Sequence, residues 1–413
     1  MTAVTQPPPR IATLDIDRGV AVMGILAMNI VDFGMPGQAY VNPRAYGWES
    51  GADYVSWLAS FIFIDGKMRG LFSFLFGASA LLVIQRAEAK EQSPARVHYR
   101  RMLWLLVFGL LHFFFIWHGD ILFGYAIAGL ILYAFRNLQP KKLILWGAAL
   151  VLVQFLIFAF FTSQIFAATA PGAAAQTTKD WKDLIDSFSV PAAAELEKTL
   201  ALYRGGYGAI AGHRLTEQAA EPLVGALVFL WETLGYMLFG MAALKSGFLS
   251  GDWADRSYRR IALACYGIGI PANAAIAFFL TQADFTVRML MALWMSATIL
   301  IRPITILGTA ALIILLTRRR GPLVERIAAA GRCAFTNYLG TSILMTSLFF
   351  GYGFGLFGQL SRAELWLVVL PMWALMLLWS KPWLDRNRYG PFEWLWRSLS
   401  NWSPQPMRKP AAA

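Results

Sequence analysis

Long apolar runs, separated by short loops rich in lysine and arginine, dominate this sequence. A bilayer-spanning helix needs roughly 17–25 mostly apolar residues. Runs of that kind lie near 14–33, 54–85, 102–118, 120–135, 143–166, 223–244, 259–281, 287–316, 333–352 and 364–380. They predict an all-α fold, a polytopic transmembrane helix bundle of about ten spans. Residues 1–413 then form a single integral membrane domain. The second run is too long, and too polar in its middle, for one plain helix. It carries Asp65-Gly66-Lys67-Met68-Arg69-Gly70. Residues 54–64 therefore read as a half-helix or re-entrant piece and 70–85 as the crossing, which puts one broken segment near 54–70. Composition agrees: 57% of the 413 residues are hydrophobic and only 15% are charged, against about 25% charged in a soluble domain.

The net charge of +12 is no nucleic-acid footprint, because the cations sit in short loops between apolar runs. With ten spans, five groups fall on one side. They are Arg86 to Arg101, Arg136 to Lys142, Lys245 to Arg260, Arg318 to Arg332, and the residues after Arg386. The opposite short loops hold Arg44, Arg288 and Arg362. Excess Lys and Arg mark the cytoplasmic side, so both termini are expected there. Cys265 and Cys333 each fall inside a predicted span, and no CxxC or Cys/His spacing exists, so neither a disulfide framework nor a metal site is expected. The leader MTAVTQPPPR shows no cleavable signal. Residues 167–222 read as an outer-side loop with short amphipathic helices such as Trp181-Lys182-Asp183-Leu184-Ile185, either a lid or a plain connector. Residues 386–413 read as a cytoplasmic tail with an interfacial helix. In that helix Pro391 suits the first turn, Glu393 complements the N-terminus, and Trp394 and Trp396 favour the headgroup zone. The run Gly351-Tyr352-Gly353-Phe354-Gly355 follows a membrane helix and not a strand, so it is no nucleotide loop.

Charged residues inside a span are costly and usually face a cavity or a partner. On the first span Asp15, Arg18, Asn29 and Asp32 share one helical face, while Asp17 points elsewhere. Asp15 and Arg18 serve either as an interfacial anchor pair or as part of that polar face. Lys67 and Arg69, at a helix break between glycines, suit a phosphate or carboxylate, or else snorkel to headgroups. Counted from Arg101 at 1.5 Å per residue, His112 lies about 16 Å deep. His118 and Asp120 follow at the outer turn. A histidine beside a carboxylate is a minimal general-base pair. The structural alternatives are an interhelical bond for His112 and a helix N-cap for Asp120. Glu232, Arg302 and Asn337 lie mid-span, and Glu232 and Arg302 are best read as neutralising each other. These positions predict an outward-facing polar cavity with His112 at its floor.

Several blocks carry a family resemblance. They are Leu14-Asp15-Ile16-Asp17-Arg18-Gly19-Val20-Ala21 with Gly24-Ile25 and Asn29; Leu71-Phe72-Ser73-Phe74-Leu75-Phe76-Gly77; and Gly119-Asp120-Ile121-Leu122 with Tyr125-Ala126. Two more are Gly331-Arg332 with Thr336-Asn337-Tyr338-Leu339, and Gly390-Pro391-Phe392-Glu393-Trp394-Leu395-Trp396-Arg397. The chain resembles the YeiB-like bacterial membrane proteins, domain of unknown function 418. That resemblance implies a multi-pass protein of the bacterial cytoplasmic (inner) membrane. The first-span motif is also distantly similar to that of membrane acyltransferases that modify sugars. One group of those ends this helix in a catalytic histidine, where Asn29 stands here. The heparan-glucosaminide-acetyltransferase-like branch also looks to carry Asn there.

Three functions stay open. In an acyltransferase, acyl-CoA would be the donor substrate and no cofactor would be resident. His112 or His118 would act as base and Asp120 would orient an imidazole. Lys67 and Arg69 would hold an anionic part of donor or acceptor, Asp15 and Arg18 would support the cytoplasmic entrance, and the acceptor would be a small molecule, lipid or glycan. A transporter or exporter of a small anionic metabolite would use the broken second span instead. A structural or regulatory membrane protein would use the polar groups only to lock helices together. The partners expected are the lipid bilayer and such a substrate, not nucleic acid, and the sequence fixes no oligomeric state.

Overall fold

The computed structural model describes residues 11–170, 172 and 179–409. The described chain is helical, and beyond an isolated bridge between Asn387 and Arg408 it contains no strand. In order the helices are α1 (Ala12–Gly34), α2 (Gln38–Val41), α3 (Gly51–Phe63), α4 (Lys67–Glu88), α5 (Pro94–Phe115), α6 (Leu122–Leu132) and α7 (Pro140–Ala168). Four short helices follow: α8 (Lys179–Phe188), α9 (Ala193–Tyr203), α10 (Tyr207–Thr216) and α11 (Glu221–Val228). Next come α12 (Leu230–Lys245), α13 (Asp255–Gln282), and α14 (Val287–Met289), which runs through a π-helical stretch Leu290–Ala297 into α15 (Thr298–Leu316). The chain ends with α16 (Pro322–Arg332), α17 (Ala334–Phe349), α18 (Trp366–Arg386) and α19 (Pro391–Asn401). Local chemistry sets many starts. Ser50 and Asp53 form a capping box on α3, Ser93 caps α5, and Pro94, Pro140, Pro322 and Pro391 open their helices.

Five helices are long and apolar enough to cross a bilayer: Gly51–Glu88, Pro140–Ala168, Asp255–Gln282, Val287–Leu316 and Trp366–Arg386. The pair Glu221–Val228 and Leu230–Lys245 makes a sixth if its 56° bend is one broken span. These helices mark a membrane protein. Large apolar side chains on α7, α13 and α18 (Leu145, Leu152, Phe160, Leu263, Phe278, Leu367) are exposed, as a lipid-facing ring requires. The rest of the ten expected runs form helices that are short (α6, α17) or carry several charges (α1, α5).

The broken or re-entrant segment expected near 54–70 takes the broken form, a local break at Ile64–Gly66, with Gly66 at φ +68°, inside one 38-residue apolar unit. A sharper bend lies between α11 and α12. A single residue, Cys333, separates α16 from α17, and α16 packs its Gly331 against the Asp15 carbonyl of α1.

The bundle has a basic end and an opposite end. At the basic end Thr13 donates to the Leu249 carbonyl at 2.5 Å, the Lys245 ammonium to the Arg136 carbonyl at 2.6 Å, and Trp396 Nε1 to the Arg101 carbonyl at 3.0 Å. At the opposite end Asp53 accepts the Ala363 N–H at 2.8 Å, and Gly358 N–H donates to Gly34 at 2.8 Å. The segment expected as an outer loop forms a cap pinned here. Tyr207 donates to the Phe115 carbonyl at 2.9 Å and Arg204 Nε to the Phe357 carbonyl at 2.8 Å.

Helix α19 lies at the basic end, but its polar groups face protein. Glu393 stands in the first turn of its own helix and also reaches a second one. Its carboxylate accepts the Phe335 and Thr336 N–H groups (2.7 and 3.1 Å) and the Thr336 hydroxyl, and so caps α17. Arg101 stacks over the Trp396 ring at 4.1 Å.

Close helix approach depends on glycine. A Cβ at Gly77 would overlap the Met237 carbonyl, and one at Gly240 the Phe74 carbonyl, where α4 crosses α12. Gly267 on α13 meets nothing within 4 Å. Gly240→Ala is expected to cost about 1–3 kcal/mol, read as a lower unfolding midpoint of the purified protein. Gly267→Ala, through helix propensity alone, is expected to be neutral or slightly stabilising.

Candidate functional site

Helix α5 carries His112 in its last turn, and a six-residue link then leads to α6. Gly109, one turn before His112, has no side chain to block the approach of Phe123 and Asp120. This brings Asp120 Oδ2 to 2.8 Å from His112 Nδ1 while its Oδ1 accepts the Phe123 N–H at 2.8 Å. Asp120 is therefore both a helix cap and the orienter of an imidazole. With Asp120 as the acceptor in that bond, Nδ1 is the donor and Nε2 is the imidazole's acceptor nitrogen. Both side chains are 1% exposed, and His112 Nε2 has no partner.

His118 does not join Asp120. Its Nε2 lies 3.1 Å from Asp32 Oδ2 at the end of α1, and Tyr203 of the cap stands 3.5 Å from its Nδ1. His112–Asp120 and His118–Asp32 are thus separate pairs, one buried and one under the cap.

A cavity of about 570 Å³ opens at the basic end. Its lining includes seven cations, Arg18, Arg86, Lys90, Arg101, Arg332, Arg388 and Arg397, against two carboxylates, Asp15 and Glu393. Its inner part is apolar, with Phe72, Phe76, Leu105, Leu122 and Phe335, and it ends at Tyr125 and Tyr338. Within the lining, Arg18 pairs with Asp15 at 3.4 Å and donates to Ser79 at 2.7 Å. Burial pushes the Glu393 carboxyl above the usual range, while its bonds from Thr336 and Phe335 pull the other way.

Tyr338 also lines a second, small cavity with Asn29, Phe33, Thr341 and Ser342. Its ring centre is 5.2 Å from that of His112, and its hydroxyl takes the Ile121 N–H at 3.3 Å. Tyr338 therefore stands between the large cavity and the His112–Asp120 pair. The expected outward-facing cavity with His112 at its floor is replaced by this arrangement. The large volume enters from the basic end, and the pocket at the other end, lined by Tyr40, Trp57, Asp65 and Arg362, is only about 50 Å³.

The remaining expected site residues are occupied inside the bundle. Arg69 meets Glu232 at 2.5 Å, and Arg302 meets the other Glu232 oxygen at 3.1 Å, while Tyr236 donates to it at 2.6 Å. The Glu232–Arg302 pair of the sequence reading is thus a triad. Lys67 donates to the Phe61 carbonyl at 2.5 Å and to Asn273 Oδ1 at 3.1 Å, so neither cation of the helix break is free for a substrate anion. Asn337 is likewise fully used, by the Ala330 carbonyl, Ser380 and Trp379. Among the described residues no group of three or more His, Cys, Asp or Glu could hold a metal. Sequence reasoning missed Tyr338, although it adjoins Asn337 in a quoted block. It also missed His98, which lines the large cavity and bonds to the Gly129 carbonyl at 2.7 Å.

The sequence comparisons agree with one another. Residues 243–403 match a family model described as "Protein of unknown function (DUF418)". The chain is 34% identical over 400 residues to the uncharacterised protein YeiB of Escherichia coli (strain K12), covering 95% of this chain and 96% of that one. The chain belongs to the YeiB-like DUF418 family. A second relative in that family, the uncharacterised protein YxaH of Bacillus subtilis (strain 168), is 32% identical over 422 residues, 97% of this chain and 96% of its own. No solved structure gives a significant match.

Removing one partner of a buried charge network strands the others. Glu232→Gln is expected to cost about 3–5 kcal/mol, because two guanidiniums lose their counter-ion. Arg302→Met should cost clearly less, since Arg69 still holds Glu232. Unfolding midpoints of the two purified variants check the order.

Proposed function

We propose that this DUF418 protein transfers an acyl group from an anionic nucleotide-type thioester, with acyl-CoA as the donor class, to a hydroxyl acceptor. The observation that carries the reading is the large cavity, cationic at its mouth, apolar within, and ending at the tyrosine that packs on His112. Clustered arginines suit phosphates, and an apolar neck suits the extended arm of such a donor. His112 is the base, oriented by Asp120. The acceptor hydroxyl gives its proton to His112 Nε2 as its oxygen bonds to the thioester carbonyl carbon. The C–S bond then breaks, and the leaving thiolate takes that proton. An ester and a free thiol result, with no other reactant. Tyr338 must turn aside for the thioester to meet His112.

The basic end is assigned to the cytoplasm of a bacterial inner membrane, by the excess of Lys and Arg there. Cys265 and Cys333 are buried, so introduced cysteines can report on sidedness with little background. A cysteine at the exposed Phe354 position, on the opposite end, is expected to react with an impermeant thiol reagent in intact cells. One at Trp402 should react only after permeabilisation.

The reaction is tested with purified protein, labelled acetyl- and longer acyl-CoA, and membrane glycans and lipids as acceptors. Label should move to an acceptor with release of free thiol. His112→Ala should lower kcat by about 10²–10⁴-fold, and Arg397→Met should raise the KM for the donor. Donor binding with no thiol release, in folded protein, would instead favour an exporter of small anions, which consumes nothing.

A further inference from the structure

Among the described residues three arginines are buried as whole residues: Arg214, Arg302 and Arg362. Arg302 has Glu232, and Arg362 gives Nη2 to the Ala39 carbonyl at 2.7 Å. Arg214, on α10 of the cap, is 1% exposed, and none of its three guanidinium nitrogens has a partner. A buried guanidinium with nothing to bond costs several kcal/mol, and buried polar groups left open in a native structure call for a ligand or water. One turn on, Gln218 Oε1 is also buried and unpartnered.

The surroundings are built, not accidental. The Arg214 guanidinium lies over the Phe350 ring at 5.8 Å. Phe350 packs on Tyr203 at 5.0 Å, and Tyr203 reaches His118. Next to His118 is Trp117, 1% exposed, stacked on Phe33, with an indole N–H that also lacks a partner. Asp32 makes no hydrogen bond to Arg214, and its Oδ2 lies 3.1 Å from His118 Nε2. The cap therefore presents a desolvated cation, with a further open N–H in the same aromatic cluster, at the end of the bundle away from the large cavity.

We propose that Arg214 is an anion-binding residue at the opposite end, taking the carboxylate or phosphate of a small molecule or head group beside the His118–Asp32 pair. A planar guanidinium with five N–H donors fits both oxyanions in a two-point contact. The site stands whether or not acyl transfer occurs, since it shares no residue with the large cavity.

The test uses full-length purified protein carrying Arg101→Met and Arg397→Met, which weakens anion binding at the basic end. Inorganic phosphate and glucuronate are titrated separately at fixed ionic strength, and the unfolding midpoint is read. At least one anion should raise the midpoint, and which one does so tells phosphate from carboxylate. Adding Arg214→Met should abolish the rise. Arg214→Lys, which keeps the charge but loses the fork, should weaken the affinity about tenfold. No rise with either anion, or a rise that survives Arg214→Met, overturns the proposal. If Arg214→Met does not fold, an unchanged affinity in Arg214→Lys overturns it equally. If the double background does not fold, the same substitutions are made in the wild type. There the part of the rise lost with Arg214 supports the site, and no loss refutes it.

Discussion

One buried carboxylate organises the centre of the bundle. Glu232 stands just after the bend between α11 and α12 and holds guanidiniums from α4 and α15. Charges in a low-dielectric interior are tolerable only when paired and hydrogen-bonded, so the three helices are fixed in register around it. The tie extends further. The Arg69 carbonyl accepts the Tyr125 hydroxyl at 3.0 Å, and Ser73 shares that hydroxyl at 2.6 Å. Tyr125 belongs to α6, whose first turn is capped by Asp120. Through this chain of contacts the charge network positions the carboxylate that orients His112.

The same geometry divides the interior. On one side of Tyr338 is a cation-lined volume that narrows into aromatic surface, and on the other is a small, mostly apolar space that Asn29 borders. Glu393 adds to this partition by capping α17 one turn before Tyr338, so the tail helix holds the helix on which the tyrosine stands. In the proposed reaction, an anionic donor entering from the basic end would meet opposite charge first and apolar surface later. That is the order expected when phosphates anchor a ligand and its reactive group travels inward.

Much of this was legible in the sequence. Apolar runs gave the helices, because a bilayer needs continuous apolar length. Intraspan polarity gave the residues worth following, because lipid penalises every unpaired charge. Partners were harder. His118 and Asp120 are two residues apart, yet each pairs elsewhere, His118 with Asp32 and Asp120 with His112. The link between α5 and α6 turns the two side chains apart, and no periodicity reports a turn of that kind. Lys67 and Arg69 looked like an open anion site at a helix break, but carbonyl, amide and carboxylate groups from distant helices occupy them. Arg214 gave no signal at all, since one arginine in a polar connector looks solvated until the cap is folded over it.

By itself, then, the sequence determined the class of solvent, the helical content, the segregation of cations into loops and a short list of polar residues inside apolar helices. These follow from local composition and from the cost of moving polar groups into lipid. The tertiary structure decided which of those residues neutralise each other, which are left with an open valence, and where the volume lies. Those outcomes depend on contacts between residues tens to hundreds of positions apart, such as Arg69 with Glu232 or Thr336 with Glu393. Such contacts are set by how helices cross, through glycines that allow close approach and caps supplied by other helices. No local pattern in the chain encodes them.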